Sequence, residues 1–282
     1  MLKSSLLAIF TLLFTASFSL AQTSTKMYKI YDTRTGQVIE WAQLIQGLSD
    51  ARIILWGEEH NDSVGHALQL EMLQALHRMQ GRPLAFSMEM FQTDVQNVMD
   101  EYLQGWISEK NFKSEARAWN NYKDYAPMIA YAKTHKIPVV CANAPSRYTN
   151  MVTRGSLSAL EVLPAKTKKA FLAPLPIDTL SGRYFEKFTE AMGGHVIPNS
   201  HIYQSQNLWD ATMAHRIVQS AKKHRVFHIV GRFHTDEYQG TTARVLRATK
   251  HRVMTISCFA ADAYDSAAHS GLADYVIITS AP

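Results

Sequence analysis

Histidine and glutamate recur in this chain where a strand-like run gives way to a turn. Gly57-Glu58-Glu59-His60 follows the apolar run Ile53-Ile54-Leu55-Trp56, and Gly231-Arg232-Phe233-His234 follows Val226-Phe227-His228-Ile229-Val230. Leu84-Ala85-Phe86-Ser87-Met88 reads as a further strand that delivers Glu89 at its end, and Arg147 lies just past a strand-like run from Ile137 to Cys141. In an open α/β sheet ligands gather beyond the carboxyl ends of the strands, so His60, Glu89, Arg147 and His234 are expected to emerge at one edge. Two imidazoles and a carboxylate suit a transition metal, which makes His60, Glu89 and His234 a candidate ligand set for a divalent ion. Glu58 adds a carboxylate that can act as general base, and Arg147 can hold a carboxylate or a developing oxyanion. The ordinary alternative for either block alone is a strand-to-helix turn with a surface histidine; their recurrence favours one paired-histidine pocket. The glycine of each block is expected to let the backbone turn sharply.

The elements that must carry these residues alternate along the chain. Asn61-Asp62-Ser63 can cap a helix running to about Met79, with Val64, Leu68, Met72 and Leu76 at helical spacing. Helices are predicted over about 93–104, 127–134 and 206–222, and two more strands over 253–257 and 275–279. The stretch 163–198 carries several prolines and paired glycines and reads as a helical insertion, about 160–205 in all, suited to a lid or a partner surface. No Gly/Ser-rich or Pro-rich linker divides the remainder. The fold class is therefore α/β: one domain over 22–282 with a largely parallel sheet, helices on both faces and a helical insertion.

The first residues point to export. Lys3 opens a short basic start, Leu6 to Phe18 form an apolar stretch, and Ser19-Leu20-Ala21 offers small residues for cleavage before Gln22. The expected location is periplasmic or secreted. No cysteine lies near that site, so a lipoprotein is not expected. Cys141 and Cys258 are the only cysteines, and both a disulfide and two buried thiols are compatible with an exported chain. The 282 residues are 46% hydrophobic and 19% charged, with a net charge of +5. Lysines and arginines are scattered instead of forming a stripe, which excludes nucleic acid as a partner but would help attract an anionic ligand.

Trp56-Gly57-Glu58-Glu59-His60, Ser87-Met88-Glu89-Met90-Phe91 with Gln96, Trp119-Asn120-Asn121-Tyr122-Lys123-Asp124-Tyr125-Ala126-Pro127 and Ala142-Asn143-Ala144-Pro145 carry a resemblance. With Gln206-Asn207-Leu208-Trp209-Asp210, Met213-Ala214 and Gly231-Arg232-Phe233-His234 they make the chain resemble the ChaN-like haem-binding proteins, over nearly its whole length and in family order. The resemblance implies an exported protein of haem or iron uptake, with haem held through a tyrosinate and two haems stacked in a homodimer. It also implies kinship with erythromycin esterases and the Tiki and TraB proteins, in which the Gly-x-x-His pair, a glutamate and an arginine form a hydrolytic or metal-binding pocket. The family member associated with haem is a lipoprotein; lacking the lipobox cysteine, this chain is expected to be soluble or held by partners such as outer-membrane haem-uptake components.

No matched motif fixes the haem ligand. A tyrosinate holds ferric iron well, and nearby cations lower the phenol pKa. Tyr203, flanked by His201 before the Gln206 helix, is the first choice, followed by Tyr148 beside Arg147 and Tyr238 after His234. Two function classes stand: a haem-binding protein of an acquisition system, and a metal-dependent hydrolase using His60, Glu89, His234 and Arg147.

Overall fold

Apolar residues of both alternating and continuous runs along the chain bury into one eight-stranded sheet of order β2-β1-β8-β7-β3-β6-β4-β5. The computed structural model describes residues 27–194 and 201–280, so the expected leader 1–21 and part of the insertion lie outside the described residues. In chain order come β1 (Tyr28–Asp32), β2 (Gln37–Ile39), α1 (Trp41–Gly47), β3 (Ile53–Glu58), α2 (Ser63–Arg78), β4 (Leu84–Gln92), α3 (Gln96–Leu103), α4 (Glu109–Glu115) and α5 (Tyr122–Thr134). There follow β5 (Val139–Asn143), α6 (Ser146–Gly155), α7 (Ala165–Phe171), α8 (Arg183–Ala191), α9 (Ile202–Ala221), β6 (Arg225–Gly231), α10 (Gly240–Ala248), β7 (Val253–Ala260), α11 (Ser266–His269) and β8 (Tyr275–Thr279).

Strands β3 to β8 pair in parallel, while β1 and β2 add an antiparallel edge. Alternate residues of β3 divide between two layers. Ile54 and Trp56 join Leu68, Met72 and Ile129 on the α2 and α5 face, whereas Ile53 and Leu55 join Ala214, Ile217 and Val245 on the α9 and α10 face. This two-sided burial is why the parallel strands read as continuous apolar runs. The edge strands β1 and β2 and helices α6 and α10 were not expected; β1 and β2 are short, and β1 joins the sheet through β8, more than two hundred residues away, while β2 pairs only with β1.

The expected insertion is helical. Leu160, Leu172, Ala173 and Ile177 pack with Tyr148 and Val152 of α6 and Leu208 and Ala211 of α9 in a cluster of their own. Cys141 and Cys258 are buried free thiols, not a disulfide. No helix among the described residues is long and apolar enough to cross a membrane.

At the amino edge of the sheet, Arg52 donates to the Ala221 carbonyl (2.6 Å) and Arg225 to those of Ser49 (2.6 Å) and Ala51 (3.2 Å). These cations satisfy loop carbonyls and leave the carboxyl edge as the place where side chains remain for chemistry.

Candidate active site

The carboxyl end of β3 turns Glu58 toward α2 and α5, on the face already occupied by Ile54 and Trp56. There the buried carboxylate accepts from Tyr125 Oη (2.6 Å), from Gln69 Nε2 and from His60 Nδ1 (2.8 Å). Because a carboxylate only accepts, His60 carries its proton on Nδ1 and presents Nε2 elsewhere. Asn121 Nδ2 donates to the His60 carbonyl at 2.9 Å, and the Trp119 ring lies edge-on to the imidazole at 5.2 Å. Asp62 caps α2 through the Gly65 amide (2.9 Å), as the Asn61-Asp62-Ser63 signature predicts.

The end of β6 builds the second half. A short turn, Arg232–His234, follows Gly231, and His234 Nδ1 donates to Asp210 Oδ1 of α9 at 2.7 Å. Asp210 is fully buried and also accepts from Tyr184 Oη and from Thr241 Oγ1 (2.9 Å). His234 Nε2 lies 3.5 Å from Glu89 Oε1, and Glu89 Oε2 accepts the Gly231 amide at 2.7 Å. Glu89 is not at the end of its strand as expected: β4 runs on to Gln92, and its register against β5 shifts between Met88 and Gln92. Such irregularities re-aim side chains beside sites.

Both glycines are needed for space, not for a left-handed turn. Gly231 has φ −54°, and a Cβ there would stand 2.8 Å from His60 Nε2 and 3.6 Å from Glu89 Oε2. At Gly57 a Cβ would stand 2.2 Å from Thr235 Oγ1 and 3.0 Å from the Arg232 backbone, so the second block packs directly on the first. His60, Glu89 and His234 therefore do converge around Gly231, each imidazole oriented by its own buried carboxylate.

Charge follows from this arrangement. Burial acts to lower the His60 pKa, but the Glu58 hydrogen bond and the Glu89 charge outweigh it and hold it above the ordinary imidazole value. Burial likewise opposes the charged form of His234, and Asp210 with Glu89 overcomes it, raising that pKa also. A cleft of about 1030 Å³ opens over His60, walled by Trp119, Phe233, Lys123 and Arg232.

Other expectations require correction. Arg147 does not enter this space: its guanidinium pairs with Asp94, which Arg117 also holds at 2.6 Å, and lies 4.5 Å from the Tyr148 ring centre. His60, Glu89 and His234 do not make a ligand set, and no group of three or more His, Cys, Asp or Glu among the described residues is arranged to hold a metal ion. The physical reason is that His234 Nε2 faces Glu89 Oε1 directly at 3.5 Å while the Gly231 amide takes Glu89 Oε2, so these donors meet one another instead of a shared point.

The candidate haem ligands are elsewhere and engaged. Tyr203 Oη donates to the Leu180 carbonyl within a cage of Tyr184, Phe185 and Phe188, and burial raises its pKa, the opposite of what a tyrosinate needs. His201 stands at the start of α9, its Nδ1 3.5 Å from Gln204 Nε2. Tyr148 is buried in the insertion cluster. Tyr238 donates to Asp274 (3.2 Å), and burial together with that carboxylate pushes its pKa up to about 12. None of the twelve tyrosines is exposed.

Asp210, Gln69 and Tyr125 were not assigned roles from the sequence. A signal existed for Asp210: Gln206 and Asp210 are buried polar residues one turn apart on α9, and Gln206 Nε2 lies 3.2 Å from His234 Nδ1.

Comparison with known proteins fits this architecture. The chain is 22% identical to Protein RETICULATA-RELATED 5, chloroplastic, of Arabidopsis thaliana over 200 residues, 64% of this chain. It spans about a quarter of that protein's length (26%). The solved structure titled "Cofacial heme binding to ChaN of Campylobacter jejuni" superposes with a TM-score of 0.69 at 18% identity, covering 90% of this chain and 97% of that one, and so shares the fold. A family model described as haem-binding uptake, Tiki superfamily, ChaN matches residues 44–245, which include β3, β4, β5, β6 and both Gly-x-x-His blocks. The chain belongs to this haem-binding uptake family.

Proposed function

We propose that this protein is exported, binds haem and serves haem or iron acquisition, taking up haem as a homodimer that works with outer-membrane uptake components. One observation carries the reading: the haem-binding family model spans 202 consecutive residues, including every strand that carries the site. The modest net charge of +5 would favour approach of an anionic porphyrin. The homodimer is inferred from the Campylobacter relative, whose title reports cofacial haem binding. Titration of the purified protein with hemin tests the reading: saturable, stoichiometric absorption changes with a doubling of mass in sizing experiments are expected, and a linear, unsaturable response would overturn it. A tyrosinate ligand would have to exchange an engaged hydroxyl for iron, so Tyr203→Phe, Tyr148→Phe and Tyr238→Phe belong in the same titration. Intact mass of the native protein should begin at Gln22 without an acyl group.

A second reading has its own support. Two imidazoles, each with Nδ1 fixed by a buried carboxylate, meet at Glu89, an arrangement suited to general acid–base hydrolysis. Neutral His60 Nε2 would take a proton from water as it adds to an ester carbonyl, and protonated His234 would return one to the leaving oxygen. Ester turnover with and without added divalent metals, lost in Glu89→Gln, is the expected result; equal turnover in the variant would sink it.

A further inference from the structure

Away from the carboxyl edge of the sheet, histidine stands in two further settings. A second cavity, of about 690 Å³ between α7 and α9, presents His215 beside Lys168 and Lys169, with no second imidazole, thiol or carboxylate among its described lining residues. The ends of α2 and α5 differ, because they bring two histidines and a tyrosine together.

His77 lies in the last turn of α2, and His135 caps the carboxyl end of α5. Tyr131 stands four residues before His135, so both project from one face of α5. The two helices are held side by side over the core that contains Met72 and Ile129. His77 Nδ1 lies 2.9 Å from Tyr131 Oη. The ring centres of His77 and His135 are 5.0 Å apart and tilted by 56°, and Tyr131 lies 4.2 Å from the His135 ring. Neither His77 Nε2 nor either nitrogen of the His135 ring makes a hydrogen bond among the described residues.

This spacing has a chemical meaning. An ion held at about 2.0–2.1 Å by each of two imidazoles sets their ring centres about 5 Å apart at the angles of tetrahedral or square-planar coordination. With Nδ1–H of His77 donated to the Tyr131 hydroxyl, the lone pair stays on Nε2, which is how a partner behind the ring prepares a ligand. Both rings lie at carboxyl helix ends, where the helix dipole favours a cation. The nearby lysines lean the other way: Lys133 Nζ sits 3.8 Å from the Tyr102 ring centre, and Lys133 and Lys136 line a depression with Asp100 and Leu103 of α3. His135 is exposed and His77 half-buried, so an ion can reach the pair from solvent.

We propose that His77 and His135 form a surface site for a divalent transition metal, Cu(II) above all, with Tyr131 orienting His77. Two protein donors are fewer than a closed structural site holds, so water completes the coordination. Nitrogen donors without a thiolate select among divalent ions by intrinsic affinity, which is highest for copper. The assignment rests on neither the haem nor the hydrolase reading.

The test adds substoichiometric CuCl2 to the full chain and follows the histidine side-chain signals by NMR, since a paramagnetic ion broadens the rings nearest to it. The His77 and His135 signals should broaden before those of the other histidines. Electron paramagnetic resonance of the complex should show coupling to two imidazole nitrogens, reduced to one in His135→Ala. In calorimetry His77→Ala and His135→Ala should each lose the tight binding step, and Tyr131→Phe should weaken it about tenfold, as loss of an orienting partner does. Earlier broadening of any other histidine overturns the site, as does parental copper affinity in either folded histidine variant. Parental affinity in Tyr131→Phe overturns the orienting role of that hydroxyl. Should His77→Ala not fold, His135→Ala decides, because the exposed His135 ring can be removed without opening the core.

Discussion

The two cavities differ in what their histidines have already spent. At the carboxyl edge of the sheet, His60 and His234 each give Nδ1 to a buried carboxylate; His234 turns Nε2 to Glu89, and His60 Nε2 lies against Gly231. In the cavity between α7 and α9, His215 makes no hydrogen bond among the described residues. A ring oriented by a fixed partner keeps its second nitrogen aimed at one place; a ring without one is free to rotate. The same residue type is thus held in two ways, and the difference lies in the side chains behind it.

The largest expected effect strikes the partnered side. Asp210→Ala leaves His234, Tyr184 and Thr241 without their shared acceptor in a fully buried place. Removing one member of a buried charged pair typically costs about 3–5 kcal/mol. His215→Ala, which strands no partner, should cost roughly 1 kcal/mol or less. Denaturant unfolding of both variants measures the contrast, and equal losses would erase it.

A smaller effect separates the two glycines. Gly57→Ala would drive a methyl against Thr235 and the Arg232 backbone, which cannot swing away, so a loss of about 1–3 kcal/mol is expected. Gly231→Ala meets only the tip of His60, whose side chain is 43% exposed and can rotate outward. It should unfold almost like the parent, while the His60 titration followed by NMR moves back toward that of a free imidazole. An unmoved titration would show that His60 and Glu89 do not share this space in solution.

Much of this was legible in the sequence, and the reason is local. β3, β6 and β8 are continuous apolar runs, because helices cover both faces, and the two Gly-x-x-His blocks follow β3 and β6 directly. The sequence could not reveal which residue stands behind each histidine. Asp210 meets His234 only because α9 crosses the sheet beside β6, and Tyr125 reaches Glu58 across 67 positions. Arg147 was misplaced for a related reason: it follows β5 as expected, but β5 is the edge strand, and Asp94 is the carboxylate it meets there.

The pH dependence sharpens the comparison further. His60 and His234 both have pKa values raised above the unfolded 6.5. The stability each contributes is complete below that value and disappears as pH rises through the raised folded value. The unfolding free-energy advantage of the parent over Asp210→Asn, read from denaturant curves, should therefore shrink between about pH 6 and pH 9, by an amount on the order of 1 kcal/mol. Growth of the advantage over that interval would contradict the sign.

The smallest effect is expected at Arg147, and it tests whether the cleft is bounded as described. The guanidinium is about half exposed, its ion pair with Asp94 is shared with Arg117, and its remaining contacts are the faces of Tyr148 and Phe171. An exposed pair of this kind contributes about 0–1 kcal/mol, and Asp94 keeps a second cation when Arg147 is removed. Arg147→Ala should accordingly unfold within 1 kcal/mol of the parent by that measure, with unchanged His60 and His234 titrations and an unchanged hemin spectrum. A lost hydrolytic activity or a shifted imidazole titration in this variant would place Arg147 back beside Glu89, as the strand order in the sequence suggested.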